Sequence, residues 1–267
     1  MSSDTQVVKL VQITDSHIFA DPEGCLLGLN TRHSFNAVCD RVMREEWAPD
    51  VILATGDLSQ DSSDQAYQFL AESFNRMALP TYWIAGNHDC NVAMQRTMNS
   101  GCISAAKHLL FEHWQIILLD SSVVEKVYGE LSPSQMEFLT EKLEQHQDKF
   151  SLIVLHHHPV DVGSEWLDQI GLRNKQELHD ILKAYPKVKG VLWGHIHQEY
   201  LATFDGIDWI ATPSSCVQFK PGSTEFSADT DSPGYRYLQL LPNGSIETQV
   251  HRMKNIEFTV DYSIKGY

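Results

Sequence analysis

The stretch VVKLVQITDSH, residues 7–17, sets the pattern from which the rest of the chain is read. Val7 to Thr14 is apolar and β-branched, which predicts a strand, and it runs directly into Asp15 and His17. The arrangement recurs. VILAT (51–55) leads through Gly56 to Asp57, and TYWIA (81–85) leads through Gly86 to Asn87 and His88. SLIVL (151–155) leads to His156, His157 and His158, and VKGVLW (188–193) leads through Gly194 to His195 and His197. Each of these apolar runs ends in residue types that ligate metals. In open α/β sheets the functional crevice lies at the carboxyl ends of the strands. If these strands share one sheet region, the polar clusters converge on one site.

Between them the period changes to that of helices. Thr31–Glu46 carries Phe35, Val38 and Val42 along one side, and Ser63–Arg76 carries Tyr67, Leu70 and Phe74. WQIILLD (114–120) reads as a further strand. Ser132–Pro133–Ser134–Gln135 is a helix start with a Ser cap, Pro in the first turn and Gln closing a capping box. A helix over Lys175–Tyr185 starts at a cap-like Asn174, with Glu177 three residues on. Asp205–Gly206 and Asn243–Gly244 are two-residue hairpin signals, and Lys220–Pro233 is a polar loop. The chain is therefore α/β by alternation, with an antiparallel end. No linker divides it, and a single domain over residues 1–267 is expected.

Composition narrows the partners. The chain has 267 residues, 42% of them hydrophobic and 21% charged, the balance of a soluble globular protein. Twenty Lys plus Arg stand against 35 Asp plus Glu, a formal charge of −15. With no basic stripe, nucleic acid is disfavoured. A divalent cation suits this balance, and a small anion can follow where bound metal reverses the local field. The five cysteines (Cys25, Cys39, Cys90, Cys102, Cys216) form no CxxC pair and read as small buried fillers with free thiols. With neither a secretory segment nor a membrane span, the expectation is a cytoplasmic protein without a membrane partner.

The ligand types narrow the ion. Carboxylate, imidazole and amide oxygen without thiolate suit Mn²⁺, Fe²⁺, Co²⁺ or Zn²⁺. The clusters offer too many ligands for one ion but enough for two that share a carboxylate. Paired ions about 3.5–4 Å apart serve in-line phosphoryl displacement. Gly56, Gly86 and Gly194 precede ligands where the chain turns beside a crowded site, which calls for unusual dihedrals and close backbone approach. His33, His108, His113, His146, His179 and His251 lie outside the clusters and read as surface or core histidines.

The blocks D-x-H (Asp15–His17), G-D (Gly56–Asp57), G-N-H-D (Gly86–Asp89), H-H (His156–His157) and G-H-x-H (Gly194–His197) resemble, in order, the signature of the calcineurin-like metallophosphoesterases. ATGDLSQD, LHHHPV, WLDQ…LRN, GHIHQE and ATPSSCVQFKPG are further similar to bacterial class III 3′,5′-cyclic-AMP phosphodiesterases. The resemblance implies two mixed β-sheets packed as a sandwich and flanked by helices. It implies one ion, Fe²⁺ or Mn²⁺ first, on Asp15, His17 and His197, a second on Asn87, His156 and His195, and Asp57 bridging them. It also implies hydrolysis of cyclic AMP to 5′-AMP by hydroxide held between the ions. The substrate would lie against His17, Asp57, Asn87, His88 and His197. His88 would assist the leaving oxygen, Asp89 would orient His88 or serve a local turn, and His157 would stand behind the ligand His156. A broader phosphodiesterase or phosphomonoesterase, a nucleotide pyrophosphohydrolase and a non-catalytic metal-binding scaffold are the rival readings. Trp166, Arg173, Asn174, Ser214, Ser215 and Cys216 fall in the similar segments and are candidates for the nucleotide pocket, with packing the favoured reading.

Overall fold

The computed structural model describes residues 7–254, 257–264 and 266. In chain order its elements are β1 (Val8–Ile13), β2 (Cys25–Leu26), β3 (Leu29–Asn30), α1 (Thr31–Arg44), β4 (Val51–Thr55), α2 (Asp64–Met77), β5 (Thr81–Ile84), α3 (Asn91–Thr97), β6 (Ile103–Ser104), β7 (His108–Leu110), β8 (Trp114–Leu118), α4 (Pro133–Gln145), β9 (Phe150–Val154), α5 (Glu165–Asp168), α6 (Lys175–Lys183), β10 (Val188–Trp193), β11 (Tyr200–Phe204), β12 (Ile207–Ala211), β13 (Gly234–Leu240) and β14 (Ile246–Arg252). One sheet has the order β14-β13-β1-β4-β5-β6 and the other β11-β12-β10-β9-β8-β7. Both are mixed. β1, β4, β5 and β6 are parallel, β13 pairs antiparallel with β1 and β14 antiparallel with β13, and β8, β9, β10 and β12 are parallel with β7 and β11 antiparallel.

The period of two along each strand sorts the core into layers. Leu10, Leu53 and Ile84 of the first sheet meet Ile116, Leu118, Leu152, Val154, Leu192 and Ile210 of the second between the sheets. Val11, Ile13, Ile52, Ala54 and Trp83 point the other way, onto Phe35, Val38, Tyr67, Leu70 and Phe74 of α1 and α2. Ile117, Ile153, Val191 and Trp193 likewise meet Leu139, Leu178 and Leu182 of α4 and α6. The stack is helix, sheet, sheet, helix, the sandwich expected from the resemblance.

A polar seam fastens the two sheets where the parallel strands end. Gln12 Nε2 donates to Thr55 Oγ1 (2.7 Å) and to the carbonyl of Trp193 (3.1 Å), and the Thr212 hydroxyl donates to Gln12. Arg236, buried, donates to the Ala211 carbonyl at 2.8 Å and to Thr248 Oγ1 at 3.0 Å. Burial lowers its pKa to about 10. Buried polar groups are tolerated when their hydrogen bonds are made, and here those bonds hold the carboxyl ends of β1, β4 and β10 in register across the sandwich.

Local signals mostly hold. Ser132 accepts from Gln135 N with Pro133 opening α4, and Ser63 accepts from Ala66 N at the start of α2. Phe204 pairs with Ile207 across a two-residue Asp205–Gly206 turn. Four expectations are corrected. The Gln135 side chain, expected to close the capping box, instead accepts from Asp120 N at 2.9 Å. Asn174 makes no side-chain cap for α6; its amide pairs instead with the Leu131 backbone, donating to O (2.8 Å) and accepting from N (3.0 Å). Asn243–Gly244 lies in a longer loop closed by Leu241 N to Ser245 O, because β13 and β14 stop pairing at Leu240 and Ile246. Of the cysteines only Cys39 and Cys216 are buried, whereas Cys90 and Cys102 are half-buried and Cys25 is exposed.

Candidate metal centre

The parallel strands β1, β4, β5, β9 and β10 all deliver their last residues to the same edge of the sandwich. Asp15 and His17 follow β1, Asp57 follows β4, Asn87 and His88 follow β5, His156 follows β9, and His195 and His197 follow β10. Asp15, His17, His156 and His197 are 0% exposed, Asp57 1% and His195 4%; Asn87 and His88 are half-buried. The loops bond to one another: Asp15 N donates to Gly56 O, His17 N to Asp57 O, Gly194 N to His156 O, and His195 N to Asp15 Oδ1.

Four overlapping groups result, one of them His17, Asp57 and His88. The ligand atoms of Asp15, His17 and His197 lie within 4.8 Å of one another, as do those of Asp15, Asp57 and His156 and those of His156, His157 and His195. Asp57 stands between them. Its Oδ2 is 3.2 Å from His156 Nε2 and 4.0 Å from His17 Nε2, while Oδ1 accepts from His88 N at 2.8 Å. His17 Nε2 and His197 Nε2 face each other at 3.1 Å.

The far ring nitrogens explain why the near ones point inward. His17 Nδ1 meets Gln60 Oε1 (2.5 Å), His156 Nδ1 the Thr55 carbonyl (2.8 Å), His197 Nδ1 the Val217 carbonyl (2.8 Å), and His195 Nε2 the Ile170 carbonyl (3.2 Å). An imidazole bonded at one nitrogen offers the other as a fixed lone pair, the usual support of a metal-ligating histidine. Among the described residues Asn87 Oδ1 is buried without a hydrogen-bond partner, and His156 Nε2 meets Asp57 without hydrogen-bond geometry. Among the described residues only histidines lie within ion-pair distance of Asp15 and Asp57. Buried carboxylates without Lys or Arg, set among orphaned lone pairs, suit divalent cations.

The titration behaviour agrees. Burial would raise the Asp57 carboxyl, but His156 and then His88 hold it well below the carboxylate range. Burial lowers His17 to about 3, so it is neutral and able to ligate at pH 7. Burial would lower His156 too, but Asp57 and Asp15 raise it to about 9. His195 and His157 are pushed well below the usual range by burial and by neighbouring imidazoles.

Strain and space are handled differently at the three glycines. Only Gly56 takes a left-handed φ, +93°, and a Cβ on it would overlap the His156 ring. Gly86 and Gly194 need no unusual φ; a Cβ would overlap Asp57 at the first and Thr14 with Asp15 at the second. Space, and not dihedral freedom, is what these two supply.

Asp89 binds the backbone of its surrounding loops. Its carboxylate accepts from the backbone N–H groups of Leu58, Ser59 and Gly86 and from Tyr67 OH, tying the loop after β4 to the loop after β5. Ser62 Oγ donates to the His88 carbonyl at 2.6 Å. His157 Nδ1 pairs with Ser121 Oγ at 2.8 Å, and the ring still places a ligand atom within 4.8 Å of those of His156 and His195, so two of the three consecutive histidines reach the cluster. Ser214 and Ser215 donate to the Asp15 and Thr14 carbonyls behind the site, and Arg173 lies over the Tyr128 ring. Of the six pocket candidates only Trp166 lines the cleft that opens above Asn87, His88 and His195. Sequence reading missed Gln60, Ser121 and the carbonyls of Thr55 and Val217. Gln60 stands three residues after Asp57 as an ordinary polar side chain, and carbonyls carry no residue signature. Among the described residues no helix is long and apolar enough to cross a membrane.

Comparison with known proteins follows this geometry. The family model for calcineurin-like phosphoesterases matches residues 8–199. The chain is 45% identical over 266 residues to the 3′,5′-cyclic adenosine monophosphate phosphodiesterase CpdA of Haemophilus influenzae, covering 99% of this chain and 97% of that one. It is 44% identical to the protein of the same name from Escherichia coli, covering 97% and 95%. In fold it is similar to a dimetal phosphatase from Danio rerio, with a TM-score of 0.61 at 16% identity over 92% of this chain and 99% of that one.

Proposed function

The chain belongs to the calcineurin-like phosphoesterase family, and from that premise we propose that it hydrolyses the 3′ phosphoester bond of 3′,5′-cyclic AMP to give 5′-AMP. Near-end-to-end similarity to cyclic-AMP phosphodiesterases carries the substrate. The convergence of two buried carboxylates and the strand-end histidines supports the chemistry. In this reading the chain is one domain, since both sheets supply the site, and it works in the cytoplasm, where its free thiols persist.

Asp15, His17 and His197 would hold one ion, Asn87, His156 and His195 would hold the other, and Asp57 would serve both. The donor set favours Fe²⁺ or Mn²⁺, with Zn²⁺ and Co²⁺ as alternatives. Two such ions supply Lewis acidity to the phosphoryl oxygens and bring the pKa of water from about 16 to near 7. The chain's own residues do the rest. His17, Asp57, Asn87, His88 and His197 surround the cyclic phosphate. Asp57, accepting from His88 N, fixes the backbone that carries the His88 imidazole. As a water oxygen bonds to phosphorus and gives its proton to solvent, the P–O3′ bond breaks and protonated His88 donates to O3′, regaining a proton from solvent afterwards. The net charge of −15 argues against a nuclease.

The test is hydrolysis by metal-stripped protein reconstituted with Mn²⁺ or Fe²⁺, offered cyclic AMP, an aryl phosphodiester and a phosphomonoester. Metal-dependent 5′-AMP release with cyclic AMP preferred is expected. Turnover of the aryl diester without cyclic AMP cleavage would leave the metal centre and remove the substrate.

A further inference from the structure

We propose that the Trp166 indole is the platform on which the base of the nucleotide stacks, making Trp166 a specificity-determining residue; this rests on the cyclic-AMP reading above. The cleft over the candidate metal centre measures about 350 Å³ and has Asn87, His88 and His195 at its polar end. Away from them the lining is apolar: Val127, Trp166, Leu167, Ile170, Phe219 and Phe226. Among the described residues the only other charged side chains lining it are Glu125 and Lys126. Such a split suits a ligand with an anionic end and a flat apolar end.

The aromatic wall is built outward from the centre itself. Phe219 stacks on His197, with ring centroids 4.0 Å apart and planes 7° apart. Trp166 stands one ring further out, edge-on to Phe219 and to Phe226 at 5.3 Å each. Edge-to-face packing fixes the indole by its neighbours' ring edges and faces. Its Nε1 donates to Ser223 Oγ at 3.2 Å, which sets its rotation. The short helix α5 that carries it is anchored at Ser164, whose Oγ accepts from Gly222 N (3.0 Å) and Gln198 Nε2 (3.3 Å). Trp166 is half-buried, so the indole is held in place and still reaches the cleft. A pre-oriented ring one residue beyond a phosphate-side imidazole stands where a nucleotide carries its base. Base–aromatic stacking is worth enough to change affinity by about tenfold, roughly 1.4 kcal/mol.

The test compares cyclic AMP with ribose 3′,5′-cyclic phosphate, which has no base, on metal-loaded wild type, Trp166→Ala, Trp166→Leu and Trp166→Phe. The expected result is a KM for cyclic AMP about tenfold higher in the Ala and Leu variants, with kcat changed less than about threefold. The preference in kcat/KM for cyclic AMP over the baseless ester collapses by the same factor, and Trp166→Phe recovers most of it. Trp166→Leu keeps apolar packing against Phe219 and Phe226 and decides alone if the Ala variant does not fold. A preference equal to wild type in the folded variants would overturn the platform, as would an equal loss of kcat on both substrates, the mark of a ring that only shapes the metal centre. If wild-type protein cleaves the baseless ester but not cyclic AMP, the substrate reading itself falls and takes the platform with it.

Discussion

Of the places where the backbone is left-handed, two regions adopt it for opposite reasons. At the tip of the β11–β12 hairpin, Asp205 and Gly206 have φ of 55° and 74°, and a Cβ on Gly206 would meet nothing within 4 Å. At the strand ends around the metal centre Asp15, His17, Asp57, His195 and His197 have φ between 47° and 66°, and all are buried. The hairpin minimises the cost of that conformation by residue choice, since Gly and Asp tolerate it. The centre cannot choose freely, because its residues must be ligands. Each strained residue there costs about 1–3 kcal/mol. That cost is offset by backbone bonds between loops, such as Asp15 N to Gly56 O and His17 N to Asp57 O. The same dihedral is thus a turn device in one place and an aiming device in the other.

Substitutions can break that contrast. The largest effect is expected at Asp57. Asp57→Asn should strip both ions together and lower turnover by on the order of 10³-fold or more, since one carboxylate serves both. Metal analysis that finds a single ion lost would show that the carboxylate is not shared. His88→Ala should keep both ions and lower kcat by roughly 10²–10⁴-fold, the range of a positioned proton donor. An unchanged kcat would take His88 out of the reaction. Gly86→Ala should weaken metal affinity by about 10–100-fold, because its Cβ has nowhere to go but into Asp57. Titration of the stripped variant with Mn²⁺ would read this directly.

A pH experiment sharpens the comparison. In metal-free protein His156 titrates near 9 because Asp57 and Asp15 outweigh burial. A raised folded pKa contributes stability that is complete below about 6.5 and lost as pH rises through about 9. Metal requires neutral imidazole, so uptake at pH 7 should release about one proton from this residue, and affinity should rise toward pH 9. Calorimetry in buffers of different ionisation enthalpy measures the proton; no release would mean His156 is already neutral. The smallest effect is expected at the hairpin. Gly206→Ala should cost about 1 kcal/mol of stability through φ alone and leave turnover unchanged, as thermal melts and the standard assay would record.

Much of this was legible in the chain because the signals are local. A strand that ends in Asp-x-His or Gly-His-x-His announces both the element and its cargo within about ten residues. The caps at Ser63 and Ser132 and the Asp205–Gly206 turn are equally local. What stayed hidden depends on partners far along the chain. His156 is oriented by the Thr55 carbonyl 101 residues away, and His17 by Gln60 43 residues away. Asn174 has a good cap spacing but spends its amide on Leu131, 43 residues distant. The Asp89 carboxylate binds the N–H groups of Leu58 and Ser59, 31 and 30 residues away, besides that of Gly86 in its own loop.

By itself the sequence determined the strand and helix alternation, the ligand types and their order, because apolar period and residue chemistry are properties of short windows. Only the tertiary structure decided which ring nitrogen faces inward, that His157 reaches the cluster beside His156, that Gly86 and Gly194 are needed for space, and that Trp166 walls the cleft. Those are matters of distance between loops from different strands. The packing of two sheets on one apolar core and one polar seam brings those loops together.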